Sequence, residues 1–149
     1  MNNNKITRVT KLILDIMFFV GIIVTATLPV SFRFYGKYND FFEEYYLQMV
    51  IIFFISGVFA ILILGELRKM FSTVLKDDCF VEGNVKSLNR MSIYSFAIMA
   101  VSLLRLPLYF TPAVSIIVIV FLIAGLFSRV LAIVFAKAVE YKQENDFTI

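Results

Sequence analysis

The chain has no histidine, a single cysteine and little charge: 17% of its 149 residues are Asp, Glu, Lys or Arg. An average soluble domain carries about 25%. Without histidine there is no imidazole base, no histidine-ligated metal and no axial-histidine haem. Cys79 by itself cannot close an internal disulfide or a C-x-x-C redox pair. No nucleophile–base pair, phosphate-cradling glycine loop or metal-ligand spacing occurs, so the sequence reads as non-enzymatic, with no cofactor. Apolar surface takes the place of charge: 60% of residues are hydrophobic and the mean hydropathy is +0.87. A soluble domain of this size could not hide so much, because small domains leave a large share of their residues at the boundary. A soluble globular enzyme, a disordered regulator and a disulfide-stapled secreted domain are excluded together.

The excess collects in four stretches of about 20 residues, the length that crosses ~30 Å of hydrocarbon at 1.5 Å per residue. The first covers 12–32 and is interrupted by Asp15 and Pro29. Lys5, Arg8 and Lys11 precede it, as in a signal peptide, but the run exceeds an h-region of about 7–15 residues and no A-x-A-like site follows. It reads as a retained anchor. The second covers 45–67, and the residues from 45 to 65 carry no charge. The third and fourth share the block 91–136, whose charges are Arg105 and Arg129. One helix through that block would be about 69 Å long, so Pro107 and Pro112 mark a turn and divide it into 91–106 and 112–136. The predicted fold is an all-α integral membrane protein, a single domain of four antiparallel transmembrane helices in a bundle.

Lys and Arg placement sets the orientation, because cationic loops stay in the cytoplasm. Ten of them (Lys5, Arg8, Lys11, Arg68, Lys69, Lys76, Lys86, Arg90, Lys137 and Lys142) lie in the N-terminal segment, the loop 68–90 and the tail 137–149. The loop between the first two spans has two, Arg33 and Lys37. Both ends are therefore predicted cytoplasmic, in a multi-pass protein of a bacterial cytoplasmic (inner) membrane. The pI near 9 follows from this topology, and no direct nucleic-acid binding is expected.

Outside the bilayer, Phe32, Phe34, Tyr35, Tyr38, Phe41, Phe42, Tyr45 and Tyr46 crowd together at helical spacing. They predict an interfacial helix on the outer leaflet. Their second reading is an aromatic pocket for an apolar or cationic ligand, built from Tyr35, Tyr38, Phe42, Tyr45 and Arg105. On the other side, Leu67, Met70, Phe71, Val74 and Leu75 recur at i, i+3, i+4, i+7, i+8, which continues the second span as an amphipathic helix. Lys76 to Cys79 turn the chain, Asp78 or a neighbour is a candidate cap, and Val81, Val85 and Leu88 lead a helix into the third span. The result is a helical hairpin on the inner leaflet, or a docking surface.

Charges inside a span are functional candidates by default. Gly125, Arg129, Ala132 and Ala136 fall on one face, where small residues permit close helix approach, so Arg129 is expected to point into the bundle. Asp15 is its first-choice partner and Glu66 its second. Arg105 is expected to snorkel outward. Ser92, Ser95 and Ser102 predict a polar helix–helix seam.

Two segments carry a family resemblance. The stretch Leu75-Lys76-Asp77-Asp78-Cys79-Phe80-Val81-Glu82-Gly83-Asn84-Val85-Lys86-Ser87-Leu88 resembles the loop of the bacterial four-span membrane family called domain of unknown function 2975. The ending Glu144-Asn145-Asp146-Phe147-Thr148-Ile149 resembles its closing acidic-Asp-Leu-Thr-Ile signature. Cys79 and Val81 depart from the Pro and Ser/Thr often found there. The family has no established activity. Its genes often stand beside a small helix-turn-helix regulator, which implies a membrane protein that holds or releases a transcription factor. On that resemblance, Phe147 and Ile149 are expected to dock on the loop helices, and Phe80, Asn84, Leu88, Asp146, Phe147 and Ile149 to form a cytosolic interaction surface. The expected function is a sensor or regulator whose partners are the lipid bilayer, a small cytosolic DNA-binding regulator and a second copy of the chain as a homodimer. Small-molecule transport, or immunity to a membrane-active peptide, is the alternative.

Overall fold

A computed structural model describes residues 3–108 and 110–148. Its elements are α1 (Asn3–Gly36), α2 (Asp40–Glu44), α3 (Tyr46–Val74), α4 (Glu82–Arg105) and α5 (Pro112–Phe147). All but α2 are long and apolar enough to cross a membrane. Large side chains such as Ile23, Phe19, Ile93 and Phe127 are more than half exposed along these helices. A water-soluble monomer rarely shows apolar patches of that extent, whereas lipid covers them without cost.

The element boundaries follow from local chemistry. Pro112 occupies the first turn of α5, where its missing N–H costs nothing, and the turn between α4 and α5 falls at the predicted position. Pro29 lies inside α1, and the helix runs through it to Gly36; its carbonyl accepts a hydrogen bond from the Tyr46 hydroxyl at 2.9 Å. At the end of α3, Leu75 N–H donates to the Phe71 carbonyl and Asp78 N–H to that of Thr73. Asp77 has φ 56°, the left-handed conformation that aspartate tolerates better than most residues. Neither Asp78 nor a neighbouring side chain caps α4. Val81 occupies that position without a side-chain bond, and Asn84 holds the turn instead. Its amide donates to the Thr73 hydroxyl at 2.6 Å and to the Cys79 carbonyl at 2.7 Å.

The predicted interfacial aromatic helix does not form as one element. α1 absorbs its first half, Asn39 caps the five-residue α2 by accepting from Phe41 N–H, and α3 takes up the rest at Tyr46. The apparent period in the sequence crosses two turns of the chain, at 37–39 and at Tyr45.

The long helices pack in sequence: α1 on α3, α3 on α4, and α4 on α5. Among the described residues α1 and α5 are not in contact, so the arrangement is a curved row and not a closed bundle. Close approach depends on small residues. A Cβ on Gly57 would come within 2.8 Å of the Thr25 hydroxyl in α1, and one on Gly125 within 2.8 Å of the Phe96 ring in α4. The Ser92 hydroxyl donates to the Gly125 carbonyl at 2.8 Å, and Ser92, Ser95 and Ser102 are all buried. α4 therefore carries the polar seam expected of it.

Candidate functional site

The ends of the row differ chemically. At the end that bears the start of α1, the turn 75–81 and the last turns of α5, here called the basic end, hydrogen-bonded side chains tie every neighbouring pair of long helices. Its centre is Glu66 on α3, 5% exposed. One carboxylate oxygen accepts from the Ser87 hydroxyl of α4 at 2.6 Å. The other accepts from Lys69 at 3.0 Å and from Arg90 at 3.4 Å. Lys69 and Arg90 are themselves mostly exposed. The α1–α3 joint is made by Asp15, which accepts from the Arg68 guanidinium and lies 3.6 Å from Lys11. The guanidinium carbon of Arg68 stands 4.5 Å over the Phe18 ring, an attractive placement of a cation on a π face.

The last joint links α5 to the turn. Lys142 donates to Asp78 at 2.6 Å, and Phe80 meets Phe135 edge-on with ring centres 5.3 Å apart. The hydrogen bond to Asp78 raises the Lys142 amine above the ordinary lysine range.

Several predicted placements are corrected by this geometry. Asp15 and Arg129 do not pair: they sit on α1 and α5, which do not touch. Arg129 is exposed, and its guanidinium donates to the Asn89 side chain on α4. The buried stripe of α5 is Val114, Gly125, Ser128 and Ala132, and Arg129, about 40° round the helix from Gly125 and about 100° from Ser128, stands at its edge. Glu66, the second-choice partner, bonds to Ser87, Lys69 and Arg90 and not to Arg129. Asn84 and Leu88, expected on an interaction surface, are each 2% exposed. They sit on the face of α4 that packs inward.

The C-terminal segment does not fold back on the loop. α5 stays helical to Phe147, which is 91% exposed, and Asp146 is exposed beside it. Ile149 lies outside the described residues. A helix already closed by its own backbone bonds projects straight on, so Phe147 is carried away from the turn.

At the opposite end the predicted aromatic pocket is dispersed. Tyr35 and Tyr38 are 60% and 77% exposed. Phe42 lines a shallow cavity of about 420 Å³ with Phe32, Arg33, Lys37 and Glu43. Tyr45 and Arg105 line a separate narrow cleft with Met49 and Leu108. Arg105 does not simply snorkel outward: it is half-buried, its guanidinium carbon 4.9 Å over the Phe53 ring.

Ser87, Arg68, Asn89 and Thr73 escaped the sequence reading. The signal for Ser87 was present. The buried positions 84, 87, 88, 91, 92, 95, 98 and 102 repeat at helical spacing, so the serine seam read from Ser92 onward extends two turns earlier. Arg68 counted there only as a topogenic charge. Among the described residues, no group of three or more His, Cys, Asp or Glu side chains could hold a metal ion.

No curated protein and no solved structure matches the chain. Residues 24–149 match a family described as protein of unknown function (DUF2975). That stretch takes in α3, α4, α5 and every joint described above except the Asp15 side of the first. The chain, with its four membrane-length helices, belongs to that family.

Proposed function

We propose that the protein is a non-enzymatic regulator of a bacterial inner membrane. In this reading the basic end faces the cytosol and holds a protein partner, for which a small helix-turn-helix transcription regulator is the favoured class. The observation that carries the reading is the reach of α5. Its 36 residues extend about 54 Å at 1.5 Å per residue, against a hydrocarbon core of ~30 Å. About four turns therefore stand clear of the lipid. That segment carries Tyr141 and Phe147, 69% and 91% exposed, and exposed aromatic side chains are the residues protein interfaces favour. Lys142 and Phe135 fasten the same helix to the turn 75–81, so a partner seated on α5 bears on α3 and α4 through Asp78 and Phe80. Asn84 braces that turn through its bonds to Thr73 and the Cys79 carbonyl.

The test uses the full chain in vesicles and a purified small helix-turn-helix DNA-binding protein from the same organism. Capture is expected with the unaltered chain, and a loss of at least about tenfold with Phe147→Glu combined with Tyr141→Glu, since hot-spot aromatics each contribute about 2 kcal/mol or more. Equal capture by both overturns the regulator reading. Reporter fusions that place residue 80 and the C-terminus on opposite sides of the membrane overturn the orientation. Transport or peptide immunity is the second reading. It has in its favour a groove at the gap between α1 and α5, and proton-coupled flux lost in Asp15→Asn would support it.

A further inference from the structure

The groove lies on the concave side of the row, towards the aromatic end. All four long helices wall it, with Thr25 and Leu28 from α1, Ser56 and Gly57 from α3, Ser102 from α4 and Phe121 from α5 among its lining. Its volume is about 310 Å³, at the lower end of the ~300–1,000 Å³ that ligand sites occupy. On α3 the lining runs from Ile52 to Ala60, and on α4 from Ile98 to Arg105, about 10–12 Å along the helix axes. Among the described residues the flanking helices α1 and α5 are not packed on each other, and the gap between them is the route by which a molecule from the bilayer would enter. Arg105 closes one end and is the single ionisable residue among the described lining residues.

A visitor to this slot arrives from the bilayer and must match apolar walls over most of its length and one cation at one end. The volume of about 310 Å³ suits a single alkyl chain. A guanidinium presents a planar fork of donors that fits a carboxylate with two parallel bonds, and Ser102 of α4 and Ser56 of α3 are among the lining residues. We propose that the groove binds a single-chain anionic amphiphile, a fatty-acid anion, with its carboxylate at Arg105 and its chain lying between α1 and α5 towards Phe121. This site stands whether or not a regulator binds at the basic end.

The chain has no tryptophan, so one substitution supplies a clean reporter. Phe121→Trp puts an indole in the groove wall. Ile133→Trp puts one on the same helix at a position 53% exposed, facing lipid. Each variant is placed in nanodiscs of phosphatidylcholine and titrated with 11-bromoundecanoate, whose terminal bromine quenches a neighbouring indole. Quenching of Phe121→Trp is expected to saturate, and that of Ile133→Trp to rise in proportion to the acid in the bilayer. Arg105→Gln in the Phe121→Trp background should weaken the midpoint at least about tenfold, the loss of a charge-assisted pair, while Arg105→Lys stays within about threefold. Ala60→Phe, which fills the groove, should abolish saturation. If Phe121→Trp does not fold, Ile117→Trp reports from the same wall.

Identical profiles from the two reporters overturn the site. A midpoint indifferent to Arg105→Gln, or matched by 11-bromoundecanol, overturns the anionic head. Displacement by phosphatidylglycerol but not by dodecanoate overturns the single chain in favour of a two-tailed lipid.

Discussion

The joint at Glu66 allows two contributions to be separated. The Ser87 hydroxyl and the Glu66 carboxylate are both buried, 5% exposed each, and their 2.6 Å bond is sealed from solvent. The cations on the other oxygen are not: the Lys69 and Arg90 side chains are 64% and 54% exposed. A buried acceptor deprived of its donor loses about 1–3 kcal/mol, whereas ion pairs with exposed partners contribute about 0–1 kcal/mol. Ser87→Ala should therefore cost about 2 kcal/mol. Glu66→Gln, which keeps an acceptor for Ser87 and gives up only the charge, should cost about 1 kcal/mol or less. At roughly 2–4 °C per kcal/mol for a chain near this size, the melting midpoints should fall by about 4–8 °C and by no more than about 4 °C. The double replacement Ser87→Ala with Glu66→Leu should be less damaging than the sum, because removing both partners leaves no orphaned polar group. Thermal unfolding followed by circular dichroism in detergent reads all three. A Glu66→Gln loss that exceeds the Ser87→Ala loss by more than about 1 kcal/mol would refute the assignment and make Coulombic attraction the larger of the two contributions.

Other expectations follow from named contacts. Gly57→Ala should weaken the α1–α3 packing by about 1–3 kcal/mol, since Thr25 is β-branched and stiff and cannot swing away from a Cβ 2.8 Å from its hydroxyl; adding Thr25→Ala should restore most of the loss in a denaturant titration. Asn84→Ala should loosen the turn and speed the alkylation of Cys79 several-fold, because the Asn84 amide is what fastens the Cys79 carbonyl to Thr73; an unchanged rate would mean that the turn holds its shape without that side chain. The attachment of α5 to the turn should be insensitive to pH across the neutral range. Lys142 is raised above its ordinary value of 10.5, so the contribution is complete below that value and is lost as pH climbs through the raised one. A spin label on Cys79 should gain mobility only in that alkaline window, and Lys142→Met should be mobile throughout.

The four helices were legible because membrane insertion writes itself into composition. Each span needs its apolar length, and the bends at Pro107–Pro112 and after Val74 carry the residues that end a helix. The same one-dimensional patterns misled where they ignored chain reversal or neighbours. The aromatic residues 34–46 share a helical period but belong to three helices. Arg129 shares a stripe with Gly125 and Ala132 in projection, yet stands just off the face that α4 covers. The apolar ending Phe147 invited a docking site, while the backbone of α5 carries it into the open.

Sequence alone therefore determined that this protein has four membrane-length helices and that one end of the assembly is rich in cations. Each is a property of a single segment measured against the thickness and charge preference of a bilayer. Which helix touches which was decided only in three dimensions. Pairing depends on the fit of Gly57 to Thr25, Gly125 to Phe96 and Glu66 to Ser87, contacts between residues 21 to 32 positions apart. No local period encodes such fits. They leave α1 and α5 apart, and with them the separation of Asp15 from Arg129 and the groove that ends at Arg105.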